Sequence, residues 1–255
     1  MTNPNHNIQH RDPFIGLLIA IFLIILTVPL ADKFHISQNV SSDNTAQAPQ
    51  DFEDTAWSNE ELKHWNTPYV VINDNLPEFD KTLLEQTDRT FETFSELDTL
   101  GRCGTAAANI GPESMPTEER GSIGHIKPSG WQTAKYPGII SDNYLYNRCH
   151  LIGYQLTGQN DNELNLITGT RYLNVESMLP FENQIADYIK ETENHVLYQV
   201  TPIYRTDMEL VAIAVEMQTL SIEDHGEGVS FHVKCYNVQP GIRINYQTGE
   251  SCVIE

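Results

Sequence analysis

Residues 13–30 read PFIGLLIAIFLIILTVPL without a single charge, and this run dictates how the rest of the chain is organised. As a helix rising 1.5 Å per residue it spans roughly 27 Å, about one hydrocarbon core. A buried helix of a soluble domain would carry a polar face, and this run has none. Residues 13–31 are therefore expected to be a transmembrane anchor or the apolar part of a signal segment. Pro29 stands where a cleavage site ending at Ala31 wants a small residue, which favours the anchor. Arg11 and Lys33 flank the run on opposite sides, so charge does not orient it. A short tail, 1–12, precedes it. Residues 32–56 are rich in Ser, Asn, Gln and Asp, cannot bury a core, and read as a flexible polar linker. The globular domain is expected over 57–255.

Within that domain the periodicity predicts strands at 69–74 (YVVIND), 196–205, 210–222, 229–238 and 242–248, with turns at 224–228 and 239–241. Helices are expected at 83–97 and 181–192; the second places Phe181, Ile185, Tyr188 and Ile189 on one face behind Pro180. Residues 101–142 show no period and are rich in Gly, Pro, Ser and Thr, as functional loops often are. Residues 144–156 (YLYNRCHLIGYQL) read as a strand around a polar centre. The fold class these elements imply is α+β with a mostly antiparallel, twisted sheet.

Four cysteines without a C-x-x-C pair argue against both a disulfide scaffold and a structural zinc site. Fifteen Lys and Arg face 35 Asp and Glu, a net charge of −20. That balance argues against a module whose task is to grip nucleic acid, because phosphate contacts need cations. The excess is uneven, however. Residues 57–99 hold 3 basic and 10 acidic side chains and 176–255 hold 4 and 13, while 100–175 hold 6 of each.

That neutral stretch carries the candidate chemistry. Asn147-Arg148-Cys149-His150 is a polar cluster inside an apolar run, followed by Asn165, Asn174 and Glu182. A histidine in a strand is by itself more often a core or surface residue than a catalyst. Asn174 could equally cap a helix, and Glu182 could simply favour a first helical turn. Together they suit a hard cation, which wants oxygen ligands and keeps water, and a histidine beside it can deprotonate a water. Eight residues along one straight helix span about 12 Å. Unless Pro180 bends the chain, Asn174 and Glu182 could not both touch one ion.

The segment NRCHLIGYQLTG resembles the D-R-G-H-L-I-G motif of the DNA/RNA non-specific endonucleases, the ββα-metal (His-Me finger) enzymes. The resemblance continues in order through LGRCGTAAANIG, MPTEERGSIG, PSGWQTAKY, NLITGTRYLN, MLPFEN and NVQPGIRINYQTGE. It implies a ββα-metal catalytic element and an endonuclease hydrolysing phosphodiester bonds of DNA and RNA, leaving 5′-phosphates. It implies His150 as general base and Mg²⁺, or Mn²⁺ in its place, on Asn174, with Glu182 reaching the ion through water. It implies Arg148 and Arg102 on the phosphate. Asn165, Arg171, Lys127, Lys135 and Trp131 are further substrate-binding candidates, Trp131 by stacking. Asn147 and Cys149 depart from the motif's Asp and Gly. An Asp at 147 would be placed to orient the histidine, so its loss is expected to lower activity.

Two rivals remain: a catalytically weak or inactive nucleic-acid-binding module of the same fold, and a cysteine hydrolase using Cys149 with His150. Adjacent strand residues point to opposite faces, which disfavours the second. The expected setting is the cell membrane, through 13–31, with the nuclease domain extracytoplasmic, or secretion if that segment is cut. Disulfides Cys103–Cys149 and Cys235–Cys252 are then expected as one or both pairings. No protein partner is expected.

Overall fold

The computed structural model describes residues 67–254. The proposed tail, the 13–31 segment, the linker and the first residues of the 57–255 domain lie outside them. Among the described residues no helix is long and apolar enough to cross a membrane.

The backbone is a six-stranded, fully antiparallel sheet with a ββα unit packed on it. The sheet strands are β1 (Tyr69–Val71), β2 (Phe91–Phe94), β3 (Ala106–Ile110), β6 (Val196–Ile203), β7 (Ala214–Ser221) and β8 (Ser230–Tyr236), ordered β1-β8-β7-β6-β3-β2. The ββα unit is β4 (Tyr146–His150), β5 (Leu166–Thr170), a π-helical turn (Leu173–Met178) and helix α3 (Leu179–Thr192). Two one-turn helices, α1 (Lys81–Leu84) and α2 (Tyr154–Thr157), and a hairpin of β9 (Ile242–Ile244) with β10 (Ser251–Val253) complete it.

Helix α3 packs on the sheet. Ile185 and Ile189 are fully buried among Val196, Tyr198, Val200 and Met217, and burial of each such side chain stabilises by roughly 1.5–3 kcal/mol. Phe181 anchors its first turn, edge-on to Tyr69 at 4.7 Å and tilted against Phe231 at 4.8 Å. A second cluster joins Leu145 and Tyr146 to Ile242, Ile244 and Tyr246. There Gly249 lies so close to the chain that an added Cβ would sit 1.9 Å from the Gly130 carbonyl. Only glycine fits.

The 181–192 helix and the expected C-terminal strands are present, but several expected strands are shorter: 69–74 is cut to β1, 144–156 ends at His150 before the helical turn Tyr154–Thr157, 210–222 begins at Ala214 and 242–248 ends at Ile244. The helix expected over 83–97 is not. Helix stops after Leu84, and Phe91–Phe94 form an edge strand paired with β3. Phe91 and Phe94 fit a helical spacing, but pairing with the buried Ala106–Ile110 strand prevails over it. That strand itself is buried on both faces and shows no polar–apolar alternation, so it was hidden within the irregular 101–142 stretch. The expected disulfides are absent. All four cysteines are free: the Cys103 thiol donates to the Leu166 carbonyl, Cys149 meets Met178 and Cys235 meets Met217.

Candidate active site

Strand β4 delivers two sets of side chains because successive residues face opposite ways. Cys149 turns inward, is wholly buried, and packs against Met178 of the π-helical turn. Burial drives its thiol well above the usual range, with the nearby Glu182 charge adding to the effect. A thiol kept protonated in this way is no nucleophile, and the cysteine-hydrolase reading falls. Asn147, two residues earlier on the same face, meets Asn174 one helical turn before Met178. Asn174 Nδ2 donates to Asn147 Oδ1 at 3.2 Å. The side chain at 147 thus meets Asn174.

His150 lies on the opposite face at the strand's end. Its Nε2 is 2.8 Å from the Asn160 carbonyl, and a carbonyl only accepts, so Nε2 carries the proton and Nδ1 holds the lone pair. Nδ1 accepts a hydrogen bond from Arg120 Nη2 at 3.4 Å. Burial lowers the imidazole's proton affinity, and the Arg120 charge lowers it further, against the opposing pull of the Asn160 carbonyl. His150 is therefore a neutral, oriented imidazole at neutral pH.

Glu182 faces it from α3. The π-helical turn brings Asn174 and Glu182 to one cavity of about 340 Å³, which His150, Arg120 and Gly153 also line. The wider π-helical turn lies between them, so the straight-helix spacing of about 12 Å does not hold here. Burial pushes the Glu182 carboxyl up to about 7, opposed by a hydrogen bond from the Gly153 N–H and by the Arg120 charge. An added Cβ at Gly153 would meet Glu182 Oε2 at 2.6 Å, so the carboxylate rests on bare backbone.

A second lobe of about 480 Å³ shares Arg120 and Asn174 with the first and adds Asn147, Arg148, Trp131 and Tyr144. The Arg148 guanidinium stacks 4.0 Å over Trp131, donates through Nε to the Ile126 carbonyl and through Nη2 to the Gly124 carbonyl at 2.7 Å. Its charge borders the cleft while it ties down the loop after Arg120.

A chain with this core matches the family model described as DNA/RNA non-specific endonuclease over residues 83–222. The chain belongs to the DNA/RNA non-specific endonuclease family. It is thus an endonuclease, a hydrolase of phosphodiester bonds. The fold is similar to that of NucA from Streptococcus agalactiae with magnesium ion bound, at 21% identity and a TM-score of 0.65, covering 79% of this chain and 99% of that one. The metal-free form of that nuclease gives 22% and 0.64 over the same shares. Sda1 nuclease with bound zinc ion is 26% identical, with a TM-score of 0.61, over 78% of this chain and 100% of that one.

The other expected site residues of this endonuclease divide. Trp131 is in the cleft. Asn165 is completely buried, its Oδ1 accepting the Ile152 N–H and its Nδ2 donating to the Ile152 carbonyl, both at 2.9 Å. It pins the loop after His150 and cannot touch substrate. Arg102 stands elsewhere, paired with Asp98 at 2.6 Å, donating to the Glu209 and Thr206 carbonyls, and lying 4.5 Å over Tyr204. The geometry makes it a structural clamp. Arg171 pairs with Asp142 at 3.1 Å on the lobe's margin, and Lys135 sits 4.5 Å over Tyr144. Lys127 is exposed and does not line the cleft.

Arg120 is the residue that sequence reasoning missed. It follows Glu118 and Glu119, and a cation beside two acids reads as neutralised. The signal was its place in the quoted MPTEERGSIG stretch, as one of only six basic residues across 100–175.

Proposed function

We propose that this endonuclease cuts DNA and RNA by a Mg²⁺-dependent reaction in which His150 is the general base. The observation that carries the reading is the His150 geometry: Nε2 is committed to the Asn160 carbonyl, which leaves Nδ1 as a lone pair at the cavity shared with Asn174 and Glu182.

The donor set suits Mg²⁺. Asn174 lines the cavity, and its side-chain carbonyl oxygen suits a hard cation. Glu182 supplies a carboxylate in the same cavity. Among the described residues no group of three or more His, Cys, Asp and Glu forms a metal cage. A cation that keeps most of its water and takes one or two protein oxygens needs none. Asn174 would hold the ion directly and Glu182 through water. Mn²⁺ suits the same ligands. When bound, the ion supplies positive charge against the scissile phosphate and the leaving oxygen.

This chain's side chains supply the rest. His150 Nδ1 takes a proton from a water as that water's oxygen bonds to phosphorus. The bond from phosphorus to the leaving 3′-oxygen breaks, and that oxygen takes a proton from solvent water, giving a 5′-phosphate and a 3′-hydroxyl. Arg120, adjacent to Nδ1, and Arg148, across the second lobe, offset the negative charge that builds on the phosphate. None of these groups reads a base, in keeping with sequence-independent cutting of either sugar. The uncharged 13–31 run supports a membrane-tethered, extracytoplasmic enzyme, or a secreted one if that run is cut.

The test incubates the full-length chain with plasmid and with RNA, in Mg²⁺ or in chelator, beside His150→Ala. Wild type should cut both substrates only with Mg²⁺. His150→Ala should lose about 10²–10⁴-fold, with no recovery at higher Mg²⁺. A wild type that leaves both substrates uncut at millimolar-order Mg²⁺ refutes the function. Undiminished cleavage by His150→Ala refutes the base and spares the family.

A further inference from the structure

Three aromatic side chains line the lobe beside Arg148 and Asn174, and only one offers a face to a ligand. Trp131 is covered on one side by the Arg148 guanidinium, 4.0 Å from its ring, and packs against the second core cluster. Tyr146 is buried, and its hydroxyl donates to the Gly249 carbonyl at 2.9 Å. Tyr144 is different: it is 44% exposed. The Lys135 ammonium lies 4.5 Å over its ring, yet Lys135 does not line the lobe. The cation thus sits on the side of the ring turned away from the cleft.

The backbone holds this ring as a plate. Lys135 and Tyr144 face each other across an antiparallel bridge. The Leu145 N–H donates to the Ala134 carbonyl at 3.0 Å, and the Tyr136 N–H to the Asn143 carbonyl at 2.8 Å. Asn143 turns the chain with a left-handed φ of 69°, which asparagine tolerates. Asp142 accepts the Tyr144 N–H at 3.3 Å while pairing with Arg171 at 3.1 Å, so its charge is offset beside the ring.

An exposed ring with cations around it, next to a phosphate site, suits single-stranded nucleic acid. Every base has a π-face, so stacking is indifferent to sequence. Inside a duplex both faces of a base are taken by its neighbours, and reaching the ring would cost unstacking and unpairing. We propose that Tyr144 is the stacking plate for an unpaired base next to the scissile phosphate, so that this endonuclease prefers single-stranded or locally opened DNA and RNA to continuous duplex. This rests on the reading that cutting takes place at His150, Asn174 and Glu182.

The test compares full-length wild type, Tyr144→Ala, Tyr144→Leu and Tyr144→Phe in Mg²⁺ on a DNA strand alone and on the same strand annealed to its complement. The readout is the ratio of the two kcat/KM values. Wild type should favour the single strand. The ratio should fall roughly 5- to 30-fold in Tyr144→Ala, the lower part of what stacking one base contributes. It should fall likewise in Tyr144→Leu, which keeps apolar bulk without a π-face, and hold in Tyr144→Phe. A ring that merely supported the fold would move both substrates alike and leave the ratio fixed. A wild type that prefers duplex, or an unchanged ratio in Tyr144→Ala, overturns the proposal. If the Ala variant fails to fold, the Leu and Phe variants decide. A second readout needs no cleavage: a single strand carrying 2-aminopurine, bound in chelator by excess protein. Wild type and Tyr144→Phe should quench its fluorescence at one position along the strand, and Tyr144→Leu should not. If wild type cuts nothing yet quenches in this pattern, the functional reading falls and the stacking assignment stands. If it cuts both substrates and quenching is absent or equal in all variants, only this inference falls.

Discussion

Glu182 should make the metal-free enzyme less stable as pH rises. Burial holds its carboxyl at about 7 against an ordinary value of 4.5. Between those values the folded chain retains a proton that the unfolded chain has released. A group whose folded value is raised contributes stability below its unfolded value and loses it as pH climbs through the folded one. Each pH unit of that window is worth about 1.4 kcal/mol, so about 3 kcal/mol should disappear across the whole of it. Glu182→Gln keeps the shape and the acceptor for the Gly153 N–H but cannot ionise. Urea unfolding in chelator at about pH 5 and about pH 8 isolates the effect, because the remaining groups, His150 included, titrate in both proteins. Wild type should lose about 2–3 kcal/mol more than Glu182→Gln between those conditions. Adding Mg²⁺ at the higher pH should restore more stability to wild type than to the variant, since a bound cation also offsets the buried charge. Parallel pH dependence in the two proteins would refute the placement of an ionisable carboxyl in this cavity.

Two further outcomes follow from the same geometry. Gly153→Ala puts a methyl 2.6 Å from Glu182 Oε2; displacing that carboxylate should cut the cleavage rate about 10-fold or more and cost about 1–3 kcal/mol, and wild-type kinetics would contradict it. Arg102 and Arg120 should separate cleanly. Arg102→Ala loses its Asp98 and backbone partners and should lower unfolding free energy by about 1–3 kcal/mol with cleavage per folded molecule unchanged. Arg120→Ala, at an exposed position, should stay within about 0.5 kcal/mol of wild type and lose on the order of 10²-fold in kcat. The opposite assignment of effects would return Arg102 to the chemistry.

The sequence made the later strands and α3 legible because their apolar residues keep a period of two or near four. It concealed β2, whose phenylalanines also fit a helix, and β3, which is buried on both faces. His150, Asn174 and Glu182 stood out because their residue types share one chemistry, and folding brings them to one cavity. The placement of Arg102 was not legible. An arginine held by Asp98 and two distant carbonyls looks, in one dimension, like an arginine awaiting phosphate. Arg120 failed in the converse way, masked by its acidic neighbours. The contact made at residue 147 turned on which asparagine lies across from it, a fact set by the π-helical turn and unmarked by any residue type.

An enzyme of net charge −20 that attacks a polyanion seems at odds with itself until the charges are placed. Exposed charges act over about a Debye length, roughly 8–10 Å at physiological ionic strength, so acids outside the cleft contribute little to the field at the scissile phosphate. Inside the cleft, Arg120 and Arg148 face two acids, and both are tempered. Asp142 is paired with Arg171. Glu182 is held near neutrality by its own burial, with a carboxyl that ionises at about 7. The local balance is therefore already positive before any cation binds, and a divalent ion held at the proposed Asn174 ligand would add to it. The remaining acidity favours solubility and weakens long-range capture of substrate. Such an arrangement spends little on holding nucleic acid in the ground state and concentrates its positive charge where negative charge builds during the reaction, which is where it lowers the barrier.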